Sequence, residues 1–167
     1  MKDDRYKAPI SVQLVLNKGN DVLLLRRFNT GYADGHYCLP AGHVEENEEA
    51  QDAMIREAKE EIGIDLKKED LEMIHVLHRK SKGITYIDFI FRATKWDGEI
   101  KLMEPDKCDE IIWADLRDLP KKVIPFTRKL LHSNKTYIPY GWTEKEQKLD
   151  EEQHMNSDTA ELDYEQR

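Results

Sequence analysis

Between residues 42 and 64 a glycine is followed by charged residues at regular intervals: Gly42, Glu48, Arg56, Glu57, Glu60, Glu61 and Gly63. Successive helical residues rotate by about 100°, so residues three and four apart share a face. On a helix, Glu57, Glu60 and Glu61 therefore project together, with Arg56 at the edge of their sector. Met54, Ile55, Ala58 and Ile62 fall on the adjoining sector and are available to a core. Ala50 and Ala53 lie within the acidic sector and are small enough to leave it open to a ligand. Like charges on one exposed helix face repel by roughly a few tenths of a kcal/mol per pair. A solvated surface tolerates that cost, which gives an acidic helix an ordinary reading in a chain that is 36% charged. The sharper reading is a site for a hard divalent cation, bound through carboxylates together with substrate phosphates. Spacing separates the two. A solvated face requires neither a glycine six residues before Glu48 nor an arginine eight residues after it.

That spacing resembles the signature of the Nudix hydrolases. The pattern reads glycine, any five residues, glutamate, any seven, then Arg-Glu-hydrophobic-any-Glu-Glu-any-Gly-hydrophobic. Gly42, Glu48 and Arg56-Glu57-Ala58-Lys59-Glu60-Glu61-Ile62-Gly63-Ile64 fill every fixed position. Leu39-Pro40-Ala41-Gly42-His43-Val44-Glu45 resembles the segment leading into that signature, with Ala41 in place of a glycine. If the backbone at Ala41 requires a positive φ, alanine is strained there where glycine is not. Downstream, Glu104-Pro105-Asp106-Lys107-Cys108, Trp113 and Leu119-Pro120 resemble the closing segment of MutT-like members, so the likeness covers residues 7–125.

The resemblance implies an α/β Nudix fold, a mixed β-sheet sandwiched between helices in an α/β/α arrangement. It implies a pyrophosphohydrolase acting on a nucleoside diphosphate linked to another group, with a (d)NTP or a modified nucleotide as the leading substrate class. Mg2+ or Mn2+ would neutralise the diphosphate and lower the pKa of bound water. Glu57, Glu60 and Glu61 are the implied metal ligands, with a backbone carbonyl near Ala41 and Gly42 as a further oxygen. Glu57 or Glu61 would act as general base, since crowded carboxylates raise one pKa towards neutrality. Arg56 would orient Glu48 or Glu60 rather than touch substrate. A further carboxylate from Glu104, Asp106, Asp109 or Glu110 is left open. Arg26 or Arg27 could meet a phosphate, although strand alternation sends them to opposite faces. Tyr37, Tyr86, Phe28 and Trp113 are candidates for stacking on a base, Trp113 being the more natural core residue. His75, His78 and Arg79 read as surface polar residues.

The elements that must position these groups are legible in outline. Residues 10–16 and 22–27 alternate around Gly19-Asn20-Asp21 and read as a β-hairpin. Residues 29–35 form a polar loop. The signature helix takes its cap from Glu46 or, more readily, Asn47, and stops at Gly63. Strands follow at 72–79, 86–94 and 110–114, with a turn at Asp97-Gly98 and a second helix over 127–133.

A chain of 167 residues supports one catalytic domain, placed at 1–142. Residues 143–167 hold nine acids and three bases, so this stretch carries −6 of the net −8. With few apolar residues and no sustained period, it reads as an acidic, flexible C-terminal tail, solubilising or bound to a protein partner. The composition shows no membrane-spanning run and no secretory leader. With two cysteines, Cys38 and Cys108, it places the protein in a reducing cytoplasm. Both cysteines read as ordinary thiols. Acidity and the scarcity of basic stripes argue against nucleic acid, while a homodimer stays open. A nucleotide-binding sensor without turnover is the competing function. Capped RNA, dinucleoside polyphosphates and prenyl diphosphates are competing substrates.

Overall fold

The computed structural model describes the backbone of residues 3–165 and the side chains of residues 3–155. The calls on Asp158, Glu161, Asp163, Glu165 and Arg167 of the acidic tail lie outside the described side chains. The strands are β1 (Ile10–Lys18), β2 (Asp21–Arg27), β3 (Tyr37–Cys38), β4 (Ala41–His43), β5 (Glu72–Ser81), β6 (Ile84–Ala93), β7 (Cys108–Asp115) and β8 (Tyr137–Tyr140). The helices are α1 (Ala50–Ile62), α2 (Pro125–Leu131) and α3 (Glu144–Glu165).

β1 is the hub of the sheet. It pairs antiparallel with β2 and β4 and parallel with β6. From there the sheet runs outward as β3-β2-β1-β6-β5-β8, with β7 alongside β2. A strand buried on both faces is expected to be apolar in both registers; β2 is so at its buried positions, whereas β1 carries buried Ser11 and Gln13 in one register. Val12, Leu14, Leu16, Leu23 and Leu25 face the cluster that receives α1. Val15, Val22 and Leu24 face a second cluster built with Phe126 and Leu130 of α2. The sheet is therefore mixed and covered on both sides, as the α/β/α reading expects.

α1 presents Ala53, Met54, Ala58 and Ile62 to the sheet, all buried. Burial of a Met or Ile side chain stabilises by about 1.5–3 kcal/mol, which seats the opposite, acidic face. Ala53 is thus core rather than a clearing for ligand, and Ala50 packs at the margin of the same cluster. Gly63 ends the helix in the left-handed region at φ 75°, its N–H returning to the Lys59 carbonyl. The cap is Glu49, whose side chain accepts from the Gln51 N–H. Asn47 instead takes a left-handed turn at φ 62°, a conformation asparagine tolerates, so it is not free to cap.

The largest departure from the sequence reading lies after residue 142. A flexible tail is expected there. Yet Thr143 and Glu146 form a capping box, Glu146 N–H donating to Thr143 Oγ1 at 3.3 Å and Thr143 N–H to Glu146 Oε2 at 3.4 Å. α3 grows from this start and docks. Asp150 is buried and accepts from Ser81 Oγ at 2.8 Å and from the Lys82 N–H at 3.3 Å. Ala33 N–H donates to the Gln153 carbonyl at 3.4 Å. The acids of this helix are not equivalent: Asp150 faces the body, whereas Glu151 and Glu152 face solvent. Among the described residues, no helix is long and apolar enough to cross a membrane.

Replacing Asp150 with alanine should lower stability by about 1–3 kcal/mol, the cost of leaving its donors unpaired. Glu151→Ala should fall within about 0.5 kcal/mol of wild type. Urea denaturation of both variants checks this, and equal, negligible losses would restore the flexible tail.

Candidate active site

Arg56 organises the N-terminal half of α1. Its Nε and Nη2 make a two-pronged pair with the Glu48 carboxylate at 2.8 and 3.0 Å. Nη1 donates to Glu57 at 2.9 Å and to Glu60 at 3.3 Å. Nη2 also reaches the His43 carbonyl at 3.0 Å. Glu48 accepts in addition from the Glu45 N–H at 2.9 Å, which ties the loop before α1 to the helix. The arginine and that amide hold the Glu48 carboxyl at about 2.

β4 lies close beneath the helix. A Cβ at Gly42 would fall 1.9 Å from the Glu57 carboxyl carbon, so any other residue there would push the Glu57 side chain from its place; Gly42 has no positive φ. Ala41 has no positive φ and carries no strain of that kind. Its N–H donates to Glu61 Oε2 at 3.2 Å, and Ala41 pairs with Gln13 of β1.

These groups border an open cavity of about 750 Å³. Glu57, Glu60, Glu61 and Glu104 all line it. Glu57 is 14% exposed and Glu60 51%, so Glu57 is sheltered while Glu60 reaches solvent. Burial raises the Glu57 pKa against the pull of Arg56. Glu61 is pushed well above the usual carboxylate range, first by burial and then by the charges of Glu57 and Glu104. Of the four open candidates beyond the signature, Glu104 alone lines the cavity, with Lys107 Nζ at 3.1 Å. Asp109 is engaged by Arg26 at 2.7 Å, Glu110 by Arg26 and the Tyr37 hydroxyl, and Asp106 stands outside.

The donor set is all oxygen, as a hard divalent cation requires. Among the described residues, no three acidic, histidine or cysteine side chains converge tightly enough to cage an ion by themselves.

Arg26 and Arg27 both line the cavity, contrary to simple alternation. The β2–β7 register shifts beside them, Arg26 pairing with Glu110 and Arg27 with Cys108, which leaves Asp109 of β7 as the extra residue. Arg26 is occupied by Asp109 and Glu110. Arg27 donates to the Tyr32 carbonyl at 2.7 Å and to Thr30 Oγ1 at 2.9 Å, and among the described residues it has no carboxylate partner. Of the stacking candidates only Tyr86 borders the cavity; Tyr37, Phe28 and Trp113 do not. Trp113 packs at the core margin beside Trp96.

Arg79 and His75 are not surface residues. His75 is buried with Nδ1 at the Lys135 carbonyl. Arg79 pairs with Asp88, which is fully buried, and lines the cavity. Thr30, Tyr32, Ser81, Phe126 and His154 also reach it. They come from distant parts of the chain with no shared spacing, so no local pattern marks them. Cys38 and Cys108 border the cavity too, but burial pushes Cys38 up to about 11 and raises Cys108, so neither is a thiolate at neutral pH.

Comparison with known proteins adds ancestry to this geometry. The NUDIX domain model matches residues 6–133. The ADP-ribose pyrophosphatase of Methanocaldococcus jannaschii is 31% identical over 112 residues, which is 67% of this chain and 64% of that protein. The 8-oxo-dGTP diphosphatase of Proteus vulgaris is 31% identical over 97 residues, 58% of this chain and 85% of that one. The chain spans less than two thirds of the archaeal relative and 37% of the NAD-capped RNA hydrolase of Pseudomonas putida. Among solved structures, a MutT NUDIX hydrolase from Burkholderia pseudomallei superposes with a TM-score of 0.71 at 25% identity, covering 78% of this chain and all of that one.

A raised carboxyl pKa has a consequence for stability. The folded state holds the Glu61 proton more tightly than the unfolded chain, so stability falls as pH rises from 4.5 through the folded value. Glu61→Gln should therefore raise the Tm of metal-free protein at pH 7.5, and the gain should vanish below about pH 4.5. Thermal melts across that range check the sign.

Proposed function

The chain belongs to the NUDIX domain family, and from that premise we propose that it is a divalent-cation-dependent pyrophosphohydrolase. Its substrate is a nucleoside diphosphate linked to a second group, with a (d)NTP or modified nucleotide as the leading class. The observation that carries this reading is the Glu57, Glu61 and Glu104 group. Three carboxylates border one cavity, two have raised pKa values, and Arg56 is already shared among Glu48, Glu57 and Glu60. Sheltered carboxylates are costly without compensation. A cation arriving with a polyphosphate removes that cost.

Glu57, Glu60 and Glu61 would hold Mg2+ or Mn2+, with Glu104 and the backbone at Ala41 and Gly42 as further oxygen donors. The ion supplies charge neutralisation of the diphosphate and a lowered pKa for water. Glu57 or Glu61, both sheltered at the cavity wall, would take the proton from the attacking water. The water oxygen bonds to phosphorus, the bridging P–O bond breaks, and two phosphate-bearing products leave. Arg56 keeps Glu48 and Glu57 in place without touching substrate. Arg27, cationic and without a carboxylate partner among the described residues, receives a phosphate oxygen. Arg26 already pairs with Asp109 and Glu110, and Tyr37 with Glu110, so each would have to exchange a partner to meet substrate.

Relatives act, by name, on ADP-ribose, on 8-oxo-dGTP and on NAD-capped RNA, and the signature does not choose between such substrates. A panel of triphosphates, oxidised dNTPs, nucleotide sugars, dinucleoside polyphosphates and capped RNA, assayed for phosphate products with Mg2+ or Mn2+, decides. One class should turn over, and Glu61→Gln should reduce it by roughly 10²–10⁴-fold, the usual contribution of a general base. Metal-dependent nucleotide binding with no turnover would instead establish a sensor.

A further inference from the structure

The family match ends at residue 133, so β8 and α3 lie beyond the matched region, and α3 nevertheless reaches the cavity through His154. The helix bridges two separate lips of that cavity. On one side the Gln153 carbonyl accepts from Ala33, and the His154 ring lies 4.5 Å from the Tyr32 ring. On the other, Asp150 and His154 contact Ser81 at the end of β5, Ser81 Oγ standing 2.8 Å from Asp150 Oδ1 and 3.3 Å from His154 Nε2.

Charge distinguishes this part of the cavity from the carboxylate part. Arg79 is paired with the fully buried Asp88, and its guanidinium lies 4.1 Å from the Tyr86 ring centroid and 5.1 Å from that of Phe126. His154 Nε2 is 3.7 Å from Asp150. Arg79 has its own carboxylate and His154 stands beside Asp150, and the remaining seat residues are planar aromatics. Beyond Arg27 at its border, a second phosphate would find no unpaired cation here among the described residues. A neutral heteroaromatic ring would find stacking faces and hydrogen-bonding edges.

We propose that Tyr32, Arg79, Tyr86 and His154 form the seat for the planar base of the substrate, and that α3 makes this chain's specificity by closing it. The proposal rests on the hydrolase reading, in which Glu57 and Glu61 hold the diphosphate while Arg27, 5.3 Å from the Tyr32 ring, marks the junction between the two regions.

The test compares wild type, Tyr86→Leu and His154→Ala on the preferred nucleotide and on inorganic tripolyphosphate, which has no ring. Melting temperatures first establish that both variants fold. Loss of a stacking partner is worth about 1–3 kcal/mol per base, which is about tenfold or more in affinity. KM for the nucleotide should rise about tenfold with kcat within about twofold, and tripolyphosphate turnover should not change. Equal losses on both substrates, or an unchanged nucleotide KM, would overturn the base seat.

If no substrate is turned over, the hydrolase reading fails separately. Calorimetric titration with nucleoside monophosphates then decides the seat. Binding to wild type that weakens in Tyr86→Leu supports it, and binding that does not weaken, or no binding to wild type, overturns it.

Discussion

One arginine is shared among more carboxylates than it can neutralise, and the arrangement of the site follows from that imbalance. Arg56 gives two hydrogen bonds to Glu48 and one each to Glu57 and Glu60. Planar, bidentate pairing of this sort fixes geometry as well as charge. It fastens the β4–α1 loop to the helix and sets the direction in which Glu57 leaves the backbone. Gly42 then permits β4 to lie directly under that carboxylate. Glu61 makes no bond to this arginine; burial, then the charges of Glu57 and Glu104, raise its proton affinity against the pull of the Ala41 N–H and Arg27. The acidic wall is a stored electrostatic cost, and a cation-bearing ligand is the natural means of relieving it.

Such a cost needs a rigid support. The sheet supplies one by burying apolar residues on both faces, so β1 and β2 cannot slip in register without carrying leucines and valines to the wrong layer. α1 is clamped on one face by Met54, Ala58 and Ile62. On the other face, α2 provides Phe126, which serves the core and the cavity at once. α3 adds a different kind of support. Among its described residues, Asp150 and the Gln153 carbonyl make polar contacts to the body of the protein. Elements held this way are the ones whose stability is most open to mutation and to ligand.

Composition alone does not reveal the contacts made by residues 143–155 of the acidic stretch. Residues 143–167 carry nine acids and few apolar groups, a profile that points to disorder when judged by burial. The Thr143–Glu146 capping box was nevertheless present in the sequence as a local signal. Asp150 could not be singled out from Glu151 and Glu152, because only the fold brings Ser81 and the Lys82 amide to it. A similar limit applied to Arg26 and Arg27, which both line the cavity although they are neighbours on one strand.

What the sequence determined by itself was everything governed by short spacing. The face of α1, the stop at Gly63, the β1–β2 hairpin and the family signature all depend on residues within a few turns or strands of one another. Helical and strand periodicities act at that range. The tertiary structure alone decided which distant groups share the cavity: Glu104 rather than Asp109 or Glu110, and His154 beside Tyr32 and Ser81. Those meetings join residues tens of positions apart through a sheet whose strand order is not the chain order. No local periodicity encodes a contact of that kind, because its energy comes from burial and charge compensation that exist only once the layers have packed.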